Sequence, residues 1–169
     1  MDKEDCKFDL EKLSTNIVGL FHPNENGRIR YEVITDYLEE NVDEKDRYSG
    51  YTDDMMTAEG YIYFDRVYEF DYAEIGTVYL KCEGENVFDK DPIKVYHNEI
   101  GDLGYVPFID KLKVKEIMDN HCLFLTEIVF EGGNYKELNE ITKKIVHVID
   151  NFKIRLNLYY EKNKKRDCR

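Results

Sequence analysis

Tryptophan is absent from this 169-residue chain, and cysteine (4) and proline (3) are sparse. Cys6, Cys82, Cys122 and Cys168 are scattered without a CxxC pair, so neither a zinc site nor a disulfide framework is indicated. No apolar run approaches membrane-span length, and the charged start MDKEDCKFD lacks an apolar signal core. A cytoplasmic, reducing compartment without membrane association is therefore expected. No glycine-rich phosphate loop, GxSxG or HExxH motif occurs. His22, His97, His121 and His147 show no metal-ligand spacing. His121 and Cys122 are neighbours at an expected strand start, where adjacent side chains face opposite ways, which argues against a Cys-His dyad. These absences argue against an enzyme and imply no cofactor and no metal.

Positive charge is also scarce through most of the chain. The net charge is −12. Residues 1–59 carry 16 acidic and 7 basic side chains (net −9), and residues 60–133 carry 15 and 7 (net −8). Residues 134–169 reverse the sign with 5 and 10 (net +5). A surface that neutralises phosphates normally gathers Lys and Arg, so the acidic body opposes a polyanionic partner at range. The basic run Lys162-Asn163-Lys164-Lys165-Arg166 suits an acidic partner or a solvated helix end.

What is present is enough apolar material for a core: 42% hydrophobic, with 14 Tyr and 9 Phe. Residues 8–21 place Leu10, Leu13, Ile17 and Leu20/Phe21 at helical spacing behind Asp9 as a cap. A second helix is expected near 30–41, with Tyr31, Ile34, Tyr37 and Leu38 on one face. Residues 42–57 read as a polar loop. Beyond residue 60 the period changes. Tyr61–Phe64, Val67–Tyr72 and Thr77–Cys82 read as strands, followed by strands at 93–97 and 103–106. A helix over 108–119 with Leu112, Ile117 and Met118 inward, a strand over 122–130 and a turn at Gly132-Gly133-Asn134 follow. Leu138, Ile141, Ile145, Val148/Ile149, Phe152, Leu156 and Tyr159 then recur at three or four residues, which predicts a long helix over 136–161. That stripe would pack within the monomer or against a second copy. The expected units are an N-terminal helical extension (1–58), a β-rich unit (59–133), and a C-terminal helix with a basic tail (134–169).

The stretch Val78 to Pro107 carries the most specific pattern. Leu80, Glu83, Asn86, Phe88, Asp89, Ile93, Val95 and Gly104-Tyr105-Val106-Pro107 fall at fixed spacing. This resembles the HIRAN domain family over residues 60–130. The resemblance implies an α+β fold with a small OB-like or SH3-like β-barrel, and a non-enzymatic function of binding the 3′ end of single-stranded DNA. It departs from the family pattern at Phe88, where Tyr is usual, and at Asp91-Pro92.

On that resemblance the binding residues would be Arg66, Tyr68, Asn86, Phe88, Asp89 and Tyr105. Asn reads a base edge, an aromatic ring stacks on a base, and a carboxylate accepts a bond from a free 3′-hydroxyl. Each has a plainer reading. Asn86 and Asp89 also suit a tight turn that bonds its own backbone, Arg66 an exposed pair with Asp65, Glu69 or Asp71, and Tyr105 a core ring. An acidic protein-interaction or assembly module is the alternative: it would keep the barrel without binding DNA, dock on a basic protein, mimic DNA, or self-associate through the C-terminal helix. Residues 22–33 place Asn24, Asn26, Gly27 and Ile29 at EF-hand offsets. His22 at the first ligand position and Val33 at the twelfth remove the calcium chemistry, leaving a glycine-containing turn between helices.

Overall fold

The computed structural model describes residues 10–43, 48, 50–58, 66–84, 87 and 89–165. In chain order the elements are β1 (Leu10–Asn16), α1 (Arg30–Asn41), α2 (Asp53–Ala58), β2 (Val67–Ile75), β3 (Val78–Cys82), β4 (Ile93–His97), β5 (Gly101–Tyr105), α3 (Phe108–Asn120), β6 (His121–Leu138), β7 (Ile145–Val148) and β8 (Phe152–Lys165). The fold is α+β, and both of its sheets are antiparallel. One has the order β1-β8-β6-β2, with β7 also paired to β6; the other is β3-β4-β5. Among the described residues no helix is long and apolar enough to cross a membrane.

The sheets meet where the chain changes partners. Ile17 donates its N–H to Ile154 of β8 (2.9 Å), while Val18 exchanges two backbone bonds with Tyr105 of β5 (2.9 Å each). Two adjacent residues therefore serve different sheets. At the β2–β3 turn, Gly76 N–H bonds to the Thr126 carbonyl (2.7 Å) and Thr126 Oγ1 donates to the Val78 carbonyl (2.9 Å). The inner faces supply the core: Phe70, Val78, Ile93, Val95, Leu103, Ile128, Phe130, Phe152, Ile154, Leu156 and Leu158. Helix α1 adds Ile34 and Leu38, both fully buried, and α3 adds Val114. The Tyr31 ring stacks 4.3 Å from Phe152, locking α1 onto β8.

Both terminal helices expected from the sequence are strands. Residues 10–16 form β1, paired with β8 over seven residues. Its more buried positions, Glu11, Leu13 and Thr15, alternate. The segment Ser14-Thr15-Asn16-Ile17-Val18 is rich in β-branched residues, and extended backbone suits them. The long C-terminal helix over 136–161 is replaced by the end of β6, then β7 and β8. Phe152, Ile154, Leu156, Leu158 and Tyr160 are all buried at a period of two, and this periodicity won. Ile141, in a turn, and Ile149, in the connection from β7 to β8, carried part of the helical stripe and are each 92% exposed. Asn139 Oδ1 caps that turn by accepting from the N–H groups of Ile141 and Thr142 (2.9 Å each). Self-association through a C-terminal helix thus has no helix to use, and β8 is paired on both sides.

Smaller corrections follow the same logic. Helix α2 begins inside the expected loop 42–57. Gly132 and Gly133 (φ 96° and 80°) do not end a strand; β6 runs through them, and its register with β2 shifts between Tyr68 and Phe70. Leu112 points outward, 78% exposed. Tyr61–Phe64 lies outside the described residues. The unit boundary expected at residue 133 falls inside β6, and β1, β2, β6 and β8 share one sheet.

Gly104 shows how closely the corner is packed. Its φ is +128°, and a Cβ there would lie 2.3 Å from the Val18 carbonyl oxygen. Gly104→Ala is expected to lower stability by at least about 2 kcal/mol, because it combines backbone strain with a main-chain clash. Urea unfolding with an unchanged m-value checks this. A shift below about 0.5 kcal/mol would mean that residues 17–18 do not press on β5 as described.

Candidate functional site

The three-stranded sheet sorts its side chains by alternation. Tyr79 pairs with Tyr96, Lys81 with Lys94, and Lys94 with Tyr105. Directly opposed residues share a face. Tyr79, Lys81, Lys94, Tyr96 and Tyr105 therefore occupy the outer face, while Val78, Leu80, Ile93, Val95 and His97 face the other way. A register shift between Val95 and Tyr96 sets Asp102 opposite Tyr96. The Tyr79 and Tyr96 rings stack at 5.3 Å and 12°, and Tyr79 is 53% exposed.

Charged groups are packed beside this face. Arg30, in the first turn of α1, donates from Nε (3.0 Å) and Nη2 (2.8 Å) to the two carboxylate oxygens of Asp102. Both side chains are almost fully buried. Arg30 Nη1 also donates to the Gly19 carbonyl (3.1 Å), and its guanidinium lies 5.2 Å from the Tyr105 ring centre. Asp102 Oδ1 further accepts from Gly104 N–H (3.0 Å).

Lys94 is a second buried cation beside this face. Its ammonium lies 2.9 Å from Glu25, 3.1 Å from Glu83 and 3.6 Å from Asp102. The Tyr96 hydroxyl is 2.6 Å from Glu25 and 2.9 Å from Glu83, and donates to one or the other. Burial pulls the Lys94 ammonium down, but bonds to Glu25 and Glu83 and the Asp102 charge outweigh it and hold it above the ordinary lysine range. Hydrogen bonds from Tyr96 and then Lys94 keep the Glu25 carboxyl below the usual carboxylate range. Burial, and then the bonds to Glu25 and Glu83, push the Tyr96 hydroxyl up.

The residues expected from the sequence stand in three places. Arg66 and Tyr68 come together at the start of β2. Arg66 Nη1 lies 3.4 Å from the Tyr68 hydroxyl, and its Nε donates to Glu137 across the sheet (2.9 Å). Its guanidinium covers the Tyr135 ring at 4.5 Å. Asp89 sits in the β3–β4 connection, paired with Lys111 of α3, and accepts from Asp91 N–H (3.1 Å) as a turn residue does. Tyr105, half-buried, lies on the outer face of the three-stranded sheet between Arg30 and Lys94. Asn86 and Phe88 lie outside the described residues.

Sequence reasoning missed Arg30, Lys94, Asp102, Glu25, Tyr79 and Tyr96. The alternation in Tyr79-Leu80-Lys81 and Lys94-Val95-Tyr96 carried the signal for three of them, Tyr79, Lys94 and Tyr96. The EF-hand-like loop is a turn between β1 and α1. Asn24 Oδ1 accepts from the N–H groups of Asn26 (2.9 Å) and Arg28 (3.0 Å), and Glu25 reaches to Lys94. The chain matches no protein-family model, no curated protein and no solved structure with which it was compared.

Asp102→Asn leaves the buried Arg30 charge uncompensated, and a loss of roughly 3–5 kcal/mol is expected. Arg30→Met in the same chain should recover part of that loss. Urea unfolding of the two single variants and the double variant measures the coupling. Strict additivity would show that the pair does not hold α1 to β5.

Proposed function

We propose that the protein is a non-enzymatic binding module for single-stranded nucleic acid, acting through the outer face of the three-stranded sheet. The observation that carries this reading is the exposed Tyr79 ring, stacked on Tyr96 and set among Lys81, Lys94 and Tyr105. Interleaved aromatics and cations are the elements from which single-strand platforms are built: rings take bases, and cations track the backbone. The HIRAN resemblance agrees with this ligand class. Its residues Asn86, Phe88 and Asp89 belong to the segment joining β3 to β4, and Tyr105 shares the platform. The finer fold expectation, a HIRAN-like OB or SH3-like barrel, is supported by the corner at Ile17–Val18 and by the Gly76 turn, which join the two sheets. Arg66 contributes less on this reading. Glu137 already pairs with its guanidinium, and Arg66 lies on the other sheet.

A second reading, a protein-interaction module, is favoured by the start of α3. Phe108, Ile109 and Leu112 are 78%, 87% and 78% exposed there. An apolar cluster of that kind on a surface suits a protein partner, and an acidic chain suits a basic one.

Fluorescence anisotropy with a labelled single-stranded oligonucleotide at low salt separates the two. Binding is expected, and a 3′-phosphate in place of the free 3′-hydroxyl weakens it if the end is recognised. Tyr79→Ala should weaken binding by about 5- to 100-fold, the effect of losing one base–ring stack. No binding to either oligonucleotide would overturn the nucleic-acid reading and leave the α3 surface as the place to look.

A further inference from the structure

Glu25 is an exposed residue spending its carboxylate on a buried cation. Its side chain is 57% exposed, yet one oxygen lies 2.9 Å from the Lys94 ammonium, whose side chain is 5% exposed, and 2.6 Å from the Tyr96 hydroxyl. The turn that carries it is held by other bonds. Asn24 Oδ1 accepts from the N–H groups of Asn26 and Arg28, Gly27 N–H bonds to the Asn24 carbonyl (3.0 Å), and Asn24 N–H bonds to the Arg28 carbonyl (2.7 Å). The Glu25 side chain can thus leave Lys94 without undoing the turn.

The donor groups favour an acceptor in that place. Arg30 and Lys94 supply two positive charges, and Asp102 and Glu83 supply two negative ones. Without Glu25 this group is neutral, and Lys94 and Tyr96 have lost their nearest acceptor. Glu25 restores an acceptor and brings one negative charge. A phosphate diester of a nucleic-acid strand brings the same charge, with oxygens that accept from the same ammonium and hydroxyl. Tyr79 and Tyr96 present ring surface on that face for adjoining bases, which a carboxylate-bearing peptide would leave unused.

We propose that Glu25 is a built-in competitor: its carboxylate occupies the phosphate position on Lys94 and Tyr96, and a single strand binds by displacing it. This rests on the nucleic-acid reading above and adds to it a phosphate subsite and an autoinhibitory contact.

The test compares wild type, Glu25→Gln and Glu25→Ala by anisotropy at low salt. The probe is a labelled oligothymidylate of about ten nucleotides; a labelled glutamate-rich peptide is the second probe. Both variants should bind the oligonucleotide at least about tenfold more tightly than wild type, because a negative charge at the phosphate position is gone. Adding Tyr96→Phe to Glu25→Gln should return part of that gain. Thermal melts confirm that the variants fold, and Glu25→Ala repeats the measurement should Glu25→Gln misfold. Equal binding by wild type and both variants overturns the competitor and leaves the nucleic-acid reading standing. No binding by any of the three overturns both. An equal gain for the glutamate-rich peptide, insensitive to Tyr79→Ala, overturns the assignment of the subsite to a nucleic-acid strand.

Discussion

The buried ion pair between Arg30 and Asp102 is the constraint on which the rest of the site depends. Taking both charges out of water is expensive, and the pair is tolerable only because its geometry is nearly complete. Two parallel bonds join the guanidinium to the carboxylate, and the remaining capacity goes to Gly19, Gly104 and the Tyr105 ring. The residues are 72 positions apart. Their pairing fixes the start of α1 against β5, and with it the whole connection from residue 17 to residue 30. Three features follow from that placement: Val18 pairs with Tyr105, Gly104 must lack a side chain, and the turn bearing Glu25 arrives over Lys94. Asp102 also lies within ion-pair distance of Lys94, so one buried carboxylate sets the surroundings of both cations.

Much of the middle of the fold was legible because local period and burial agreed there. Helix α1 has Ile34 and Leu38 at the expected spacing, and strand β3 alternates as its sequence alternates. The ends were not legible from the stripe chosen. Leu10, Leu13 and Ile17 fit a helical repeat, but the same segment fits a strand with Leu13, Thr15 and Ile17 inward. A strand needs a partner, and β1 finds it in β8, nearly 150 residues away. A period of two and a period of 3.6 coincide often enough over short windows that only the partner decides between them. In residues 152–160 the two-residue period was unbroken, whereas the helical stripe needed Ile141 and Ile149, which lie in the connections on either side of β7 and face solvent.

The site was less legible than the fold, for a related reason. Tyr105 was named from a local motif and lies on the platform. Arg66 and Tyr68 were expected from the family resemblance alone, and a local pattern does not reveal that β2 joins the other sheet. Arg30, Lys94, Asp102 and Glu25 lie in four separate segments, and each reads alone as an ordinary surface charge. Their meaning exists only after β4 and β5 pair and α1 docks. Glu25 is the extreme case. In sequence it is one of 36 acidic residues and sits in a failed cation loop; in the fold it lies on a buried lysine.

The net charge of −12 weighs against any polyanionic ligand at long range, but its reach is limited. At physiological ionic strength, screening over roughly 8 Å leaves the outcome to the groups a strand would touch. Arg30 neutralises Asp102, and Glu83 lies on Lys94, so the sign of the field on the outer face turns on Glu25 and Lys81. A strand that replaces Glu25 exchanges one anion for another and releases few counterions, because the cation it meets was already paired. On the nucleic-acid reading, affinity then comes mainly from rings stacking on bases. Salt dependence would be shallow for a nucleic-acid binder, since its slope counts newly neutralised phosphates and not total contacts. An acidic body and a nucleic-acid ligand are compatible on those terms: two of the cations, Arg30 and Lys94, are buried against their own carboxylates, and on that reading the tyrosines would carry most of the contact.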